Sequence, residues 1–416
     1  MSRIARTAST GIGIAVVLSL GLTACGSSGG ASVAADKKQT LTVWAMGAEG
    51  EKLADVAKVY EKAHPNITVK VTPVGWDVAH QKLVSAAAAG TMPDVAQMGG
   101  SYMGEFSELG VLEPVDTKTF HEKDFFPAGW KQGEVDGQAY GVPWYVDTRV
   151  LYYRTDLAKK AGITKAPADW KELRDLATAY QKKAGTKWGL SIQPSGLDTV
   201  QSFYSFLYSA GGEIVDDKGE TVIDSPAAVK ALKEYASYFD KGLSDKSLPP
   251  GYDVVKDFGN GRVPMFFGGP WHVTLLDEGQ PQLKGKWAVA GVPAGKSSVS
   301  MAGGSSLVIS KDSEHKAAAT QFIKYLTDTK GQADWYKRTK DLPANTAAWT
   351  SGDLADDAGL QVFKKQMDTA KSSPSLPNWT EVTDKVDQAV AKVTQGKASA
   401  EDALKTAQSQ IEGLVK

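Results

Sequence analysis

The architecture of the chain follows most directly from one segment, Gly141-Val-Pro-Trp-Tyr-Val-Asp-Thr-Arg-Val-Leu-Tyr-Tyr-Arg154. This segment has the composition of a strand, and the side chains of a strand alternate between two faces. Here one face carries Tyr145, Asp147 and Arg149, and the other carries Trp144, Val146 and Thr148. A face that is aromatic, acidic and basic is unusual in a buried central strand and typical of a strand on the floor of a cleft. We therefore predict that this segment crosses from one lobe to another and lines a binding site.

Length and composition limit the class of protein. At 416 residues the chain exceeds what one hydrophobic core usually supports, which predicts two lobes or domains. Lys and Arg number 47 and Asp and Glu 48, a balance that argues against a nucleic-acid partner and favours a neutral ligand. The only cysteine is Cys25, which excludes an internal disulfide framework and a cysteine-ligated metal site.

The first residues have the pattern of a secretory signal. Two arginines precede an apolar run that is too short for a permanent membrane span. The run ends in Leu22-Thr-Ala-Cys25, which resembles the lipobox of bacterial lipoproteins, where the cysteine becomes the lipidated first residue. We predict a signal peptide over 1–24, lipidation at Cys25 and a flexible tether over 25–39.

From Leu41 onwards, short apolar strands alternate with helices in a βαβαβ order. This order predicts an α/β fold of mixed, mainly parallel sheets flanked by helices, with ligands bound beyond the carboxyl ends of the strands. The loops at those ends offer four candidate ligand-binding residues: Glu49, Trp76, Asp77 and Tyr102. Asp77 could instead cap a helix.

Later segments add further candidates. A strand from Gly261 runs into a tight glycine–proline turn that should present Trp271 outward. Gly303, Gly304 and Ser305 would leave backbone N–H groups open to a ligand, unless they form only a tight turn. Arg338 is a further candidate on a predicted helix. The alternative is that its charge is simply solvated at the helix surface.

Catalytic and metal-binding motifs are missing from the sequence. It contains no Gly-x-Ser-x-Gly elbow, Walker loop, strand-linked Gly-x-Gly-x-x-Gly or His-Glu-x-x-His, and its five histidines lack metal-ligand spacing. We therefore predict a protein that is not an enzyme and needs no cofactor, while a structural calcium ion and the carboxylate pair of a glycosidase stay open at this point.

Aromatic residues at loop positions instead indicate a sugar site. A sugar has apolar C–H faces, which aromatic rings cover, and a rim of hydroxyls that require fixed polar partners. A buried hydroxyl left unpaired costs roughly 1–3 kcal/mol, so Asp147 and Arg149 suit the rim. With Trp144 and Tyr145 they form the central candidates; the alternative is an internal Asp147–Arg149 ion pair with aromatic packing.

Several separate blocks carry a family resemblance. They are Gly90-Thr-Met-Pro-Asp-Val95, Tyr140-Gly-Val-Pro-Trp144, Gly268-Gly-Pro-Trp271 and Gly303-Gly-Ser305, followed by the tail from Pro377. In their order and spacing, the chain resembles the solute-binding lipoproteins of carbohydrate ABC importers, the broad family that includes maltose-binding protein.

The resemblance implies a periplasmic-binding-protein-like fold of two lobes with a ligand cleft at the hinge. The implied lobes are 40–146 plus 301–345 and 147–300 plus 346–416. In this family the tryptophan that matches Trp271 commonly stacks on a sugar ring. The residues that match Asp147 and Arg149 often form hydrogen bonds with sugar hydroxyls. Relatives often have a tryptophan where this sequence has Tyr102, which makes that aromatic surface smaller and more polar.

The resemblance also implies the partners. A monomer, lipid-anchored to the outer face of the cell membrane as in Gram-positive bacteria, would deliver a di- or oligosaccharide to ABC permease subunits driven by a cytoplasmic ATPase. A peptide or polyamine binder and, less readily, a secreted glycosidase stay open as alternatives. The identity of the sugar stays open too, among α-glucosides, β-glucosides, xylo-oligosaccharides and amino sugars.

Overall fold

The computed structural model describes residues 33–34, 36–196, 199–216, 218–249, 252–350 and 352–415. These residues belong to one compact unit. The predicted signal peptide, Cys25 and the first part of the predicted tether lie outside the described residues. None of the helices in the described ranges has the length and apolar character needed to cross a membrane.

The strands, in chain order, are β1 (Gln39–Met46), β2 (Ile67–Val74), β3 (Val95–Gly99), β4 (Glu134–Val135), β5 (Gln138–Ala139), β6 (Gly141–Thr148), β7 (Val150–Arg154), β8 (Met265–Gly268), β9 (Trp287–Ala290), β10 (Ala302–Ile309) and β11 (Leu342–Pro343). The helices are α1 (Gly47–Ala63), α2 (Trp76–Ala89), α3 (Gly100–Glu108), α4 (Pro127–Lys131), α5 (Thr155–Lys160), α6 (Trp170–Ala179), α7 (Thr199–Ala210), α8 (Pro226–Asp240), α9 (Val254–Gly259), α10 (Trp271–Gly279), α11 (Lys316–Thr327), α12 (Thr329–Thr339), α13 (Asp353–Asp356), α14 (Ala358–Met367), α15 (Trp379–Thr394) and α16 (Ala400–Val415). Short 3-10 segments cover Glu122–Asp124, Pro281–Leu283 and Thr346–Thr350, and a π turn covers Tyr180–Ala184.

The larger sheet has the strand order β11-β6-β10-β3-β1-β2. β1 pairs in parallel with β2 and β3, as the βαβαβ order predicts. The helices α1 and α2 return the chain to the end of the sheet at which the preceding strand began. β10 pairs antiparallel with both β3 and β6, and β11 pairs antiparallel with β6. Two strands from late in the chain therefore complete the sheet that the first residues begin.

The smaller sheet has the order β8-β7-β9, and both of its pairings are antiparallel. The α/β class is confirmed, but the prediction of mainly parallel sheets is wrong for both sheets, because the larger one has two parallel and three antiparallel pairings and the smaller one has only antiparallel pairings. The alternation of helices and strands fixes strand direction only where a helix connects two neighbouring strands. Here β8 and β9 follow each other in sequence, yet β7 lies between them.

The segment that crosses between the sheets is β6 followed by β7, with Arg149 between them. β6 belongs to the larger sheet and β7 to the smaller one, so the predicted crossing is confirmed. The predicted alternation is also confirmed, since Trp144, Val146 and Thr148 are buried while the opposite face is half-buried. This half-buried face is the one that carries Asp147 and Arg149.

Helices that flank the smaller sheet begin where the sequence provides caps. The Ser225 hydroxyl accepts a hydrogen bond from Ala228 N at the start of α8, where Pro226 occupies the first turn. The Ser399 hydroxyl accepts one from Asp402 N at 3.1 Å, just before α16. α7, α8, α15 and α16 contribute apolar faces to one large buried cluster, which holds them in place.

Candidate functional site

A cavity of about 460 Å³ lies beside the crossing segment. It is lined by Trp76, Gly99, Gly100, Ser101, Tyr102, Gln132, Tyr145, Asp147, Arg149, Gln201, Met301, Ala302, Gly303, Gly304, Ser373 and Trp379. The strands β6 and β10 supply its floor, and residues near the first turns of α2, α3, α7 and α15 supply its walls. Seven of the residues proposed from sequence meet here: Trp76, Tyr102, Tyr145, Asp147, Arg149, Gly303 and Gly304.

The charged pair on the floor is preformed. Arg149 Nη1 donates a hydrogen bond to Asp147 Oδ1, and the Arg149 guanidinium lies 4.6 Å from the centroid of the Trp271 ring. About a fifth of each charged side chain is exposed, 19% for Arg149 and 18% for Asp147. The internal ion pair that sequence analysis offered as an alternative therefore exists, and it still faces the cavity. Its unused donors and acceptors remain available to a ligand.

Glycine is required opposite this pair. A Cβ atom at Gly303 would lie 2.5 Å from Asp147 Oδ1, and one at Gly304 would lie 2.3 Å from Tyr145 O. Gly304 also has φ of +126°, a conformation that residues with side chains rarely adopt. The two glycines let β10 pass close enough for Asp147 to keep its position.

A buried polar network holds Tyr145. Its hydroxyl lies 3.2 Å from Ser305 Oγ and from Gln97 Nε2, and Gln97 Oε1 accepts a hydrogen bond from Met46 N at 2.7 Å. Burial raises the pKa of Tyr145 well above its ordinary value, and nearby carboxylates raise it further. The phenol therefore stays neutral and can both donate and accept hydrogen bonds.

An acidic cluster lies behind Tyr145. Asp341 Oδ2 accepts a hydrogen bond from Trp335 Nε1 at 3.0 Å. Burial, and then the negative charge of Glu49, raise the pKa of Asp341 from 3.8 to about 7. Burial also raises the pKa of Glu49, whose carboxylate faces Tyr145 and Trp76. Glu49 thus connects the buried network around Tyr145 to the exposed indole of Trp76.

Two exposed tryptophans lie at or next to the cavity: Trp76 lines it, and Trp271 lies outside the lining, against Arg149. Trp76 and Trp271 are each 42% exposed, and they begin α2 and α10. Of the eleven tryptophans in the chain, these are the two that the structure leaves exposed. The prediction that the glycine–proline turn presents Trp271 outward is confirmed.

Several predicted site residues lie elsewhere. Trp144 has no exposed surface and packs on Trp335, with ring centroids 4.6 Å apart, so its assignment to the ligand site is wrong. Strand alternation points it away from the cavity. Arg338 and Asp77 are exposed, and neither lines the cavity. Ser305 is buried and reaches the site only through the Tyr145 hydroxyl.

Three other cavity residues, Gln201, Gln132 and Ser373, escaped the sequence analysis. Gln201 Oε1 is buried and has no hydrogen-bond partner within the described part of the chain. Gln132 Nε2 donates to Gly303 O at 3.2 Å, which fixes the strand that carries the glycines. Ser373 and Trp379 come from the C-terminal part of the chain. No local pattern marks the glutamines or Ser373, because only the tertiary fold brings them to β6.

The site has the chemistry of binding. Within the described ranges, no group of three or more His, Cys, Asp or Glu residues is placed to hold a metal ion. Aromatic surfaces, a fixed ion pair and buried neutral hydroxyl and amide groups converge on one cavity beside the crossing segment. Together with the crossing strand, they define a two-lobed ligand-binding protein.

Comparisons with known proteins place the chain in a family. It belongs to the bacterial extracellular solute-binding protein family, whose model matches residues 44–333. The chain is 27% identical to the maltodextrin-binding protein MdxE of Bacillus subtilis over 418 aligned positions, covering 96% of this chain and 95% of MdxE.

Solved structures give the same result. The sugar-binding protein MalE of Xanthomonas citri is similar with a TM-score of 0.85 and 32% identity, covering 91% of this chain and 97% of MalE. The GacH receptor of Streptomyces glaucescens, solved unliganded and with acarbose, has a TM-score of 0.79 and 27% identity, covering 90% and 98%. The chain is therefore a sugar-binding, extracellular solute-binding protein of the ABC-transporter type with the two-lobed MalE fold. It is not an enzyme, which excludes the glycosidase alternative.

Proposed function

We propose that this protein captures a di- or oligosaccharide in the cavity whose floor is formed by β6 and β10, with aromatic rings stacked on the sugar faces and polar groups bonded to the hydroxyls. In this proposal Trp76, Tyr102 and Trp271 supply the rings. Asp147 and Arg149 bond the hydroxyl rim.

The exposure of Trp76 and Trp271 is the observation that carries the proposal. An indole that is 42% exposed leaves roughly 100 Å² in water, and burial of that area is worth about 2.5 kcal/mol. Two such rings beside a preformed ion pair supply about 5 kcal/mol of the roughly 8 kcal/mol that a micromolar dissociation constant represents, before the costs of association. Hydroxyl hydrogen bonds supply the remainder.

Relatives favour an α-linked glucose oligomer. MdxE is named a maltodextrin-binding protein, and a MalE3 protein of T. maritima, 28% identical, was solved with maltose bound. Other relatives are named for galactooligosaccharide and diacetylchitobiose, at 25% and 26% identity. We propose malto-oligosaccharides as the first ligands to test.

We further propose that the ligand closes the cleft between two lobes, 40–146 plus 301–345 and 147–300 plus 346–416. A sugar that contacts both lobes stabilises the closed form, which ABC permease subunits linked to an ATPase then recognise. In this scheme the monomeric protein is lipid-anchored at Cys25 on the outer face of a Gram-positive cell membrane.

A thermal-shift screen tests this function. A ligand that binds only the folded state raises the melting temperature. The panel contains mono-, di- and trisaccharides of each linkage, together with peptides and polyamines. We expect a shift with one class of oligosaccharide, followed by a micromolar Kd in isothermal titration. A shift only with peptides or polyamines would refute the proposed ligand class.

A further inference from the structure

Two side chains outside the cavity connect the helices that carry two of its aromatic residues. His80 Nε2 on α2 lies 2.6 Å from Glu105 Oε2 on α3. Trp76 begins α2 one turn before His80, and Tyr102 lies one turn before Glu105. Residues three or four apart lie on one face of a helix. The His80–Glu105 contact is therefore made on the helix faces that present Trp76 and Tyr102.

The imidazole of His80 is held by rings as well as by the carboxylate. Its centroid lies 4.8 Å from the Tyr102 ring and 6.3 Å from the Phe106 ring, which it meets edge to face. Phe106 is fully buried in the cluster that packs on the larger sheet. His80 thus rests on the buried Phe106 ring, bonds Glu105 and contacts the Tyr102 ring at an angle of 50°.

We propose that His80 and Glu105 are positioning residues that hold Trp76 and Tyr102 as one pair of aromatic surfaces, and so set a preference for ligands long enough to cover both. This inference rests on the proposed function. Neither His80 nor Glu105 lines the cavity, so both act through their neighbours. Trp76 and Tyr102 both line it.

The physical basis is the entropy of ordering. A ring that must be immobilised when a ligand binds reduces affinity by roughly two- to tenfold, whereas a ring already held in place does not. A short ligand that covers one surface gains little from the fixed spacing. A longer ligand that covers both depends on it.

Titration of variants with two ligand lengths tests the inference. The ligands are maltose and maltotetraose, and the readout is the ratio of their dissociation constants. His80→Ala and Glu105→Ala should each weaken maltotetraose binding about five- to tenfold and maltose binding less than twofold. His80→Gln should keep the ratio of dissociation constants close to that of the unaltered protein, because the amide N–H of Gln can still donate a hydrogen bond to Glu105. Glu108→Gln, at the exposed end of the same helix, should change neither constant.

Other outcomes would overturn the inference in distinguishable ways. Equal weakening for both ligands in the two alanine variants would indicate only a structural role. An unchanged ratio would show that the contact does not position the rings. If the unaltered protein bound neither ligand, malto-oligosaccharides would be refuted as its ligands, and the inference with them, whereas the thermal-shift screen would still decide the broader sugar-binding function.

Discussion

Replacing Asp341 by Asn should stabilise the protein, and the gain should depend on pH. In the folded protein Asp341 holds its proton to about pH 7, because burial and the charge of Glu49 disfavour the carboxylate. In the unfolded chain the group ionises near its ordinary pKa of 3.8. The folded state therefore binds more protons between these pH values, and stability falls as pH rises from about 4 to 7.

The magnitude follows from the two pKa values. A difference of about 3 pKa units corresponds to about 4 kcal/mol of stability lost by pH 8. Asn is neutral at every pH, and its side-chain oxygen can still accept the hydrogen bond from Trp335 Nε1. Asp341→Asn should thus be nearly neutral at pH 4 and up to about 4 kcal/mol more stable at pH 8. For a chain of this length, that gain raises Tm by up to roughly 5 °C.

Calorimetric melting at pH 4 to 8 measures the effect. Asp312→Asn, an exposed carboxylate, is the matched control and should leave Tm unchanged within about 1 °C at every pH. A constant difference between Asp341→Asn and the unaltered protein across the pH range would refute the reasoning, because it would show that ionisation is not involved. A variant less stable at pH 8 would refute it as well.

Three further predictions concern the site and its location. Trp271→Ala should weaken sugar binding at least tenfold in isothermal titration, whereas Leu275→Ala, an equally exposed change on the same helix, should leave it unchanged; equal effects would contradict the role of the ring. Gly303→Ala should displace Asp147, since the new Cβ would lie 2.5 Å from its carboxylate, and should lower affinity at least tenfold while the circular dichroism spectrum is preserved; unaltered binding would disprove the close fit. Cys25→Ser should move the protein from the membrane fraction to the soluble fraction of cells, and retention in the membrane would refute lipidation there.

Sequence patterns predicted those features that depend on neighbours in the chain. The alternation of β6 placed Asp147 and Arg149 on the cleft side because each side chain of a strand points opposite to the next one. The glycine–proline turn placed Trp271 correctly for a similar reason, since local backbone geometry aims the ring. Such signals need no knowledge of the remaining fold.

Features that depend on distant partners were not predictable. Trp144 and Trp76 both follow a glycine closely in sequence. Trp144 is buried because Trp335, from a distant part of the chain, packs on it, whereas Trp76 is exposed. Asp341 and Gln201 belong to the site only through the tertiary fold, and a single carboxylate or amide has no periodicity to reveal it. The antiparallel smaller sheet escaped prediction likewise, because its pairings join strands far apart in sequence.

The position of β10 in the larger sheet also affects how the protein can fold during synthesis. β10 lies between β3 and β6, yet it follows β3 by about 200 residues. At the usual 5–20 residues per second, a ribosome needs roughly 10–40 s to make that interval. Until then β3 and β6 have no strand to join them, and the sheet cannot close. The larger sheet is therefore completed only late in synthesis, after most of the chain has been made.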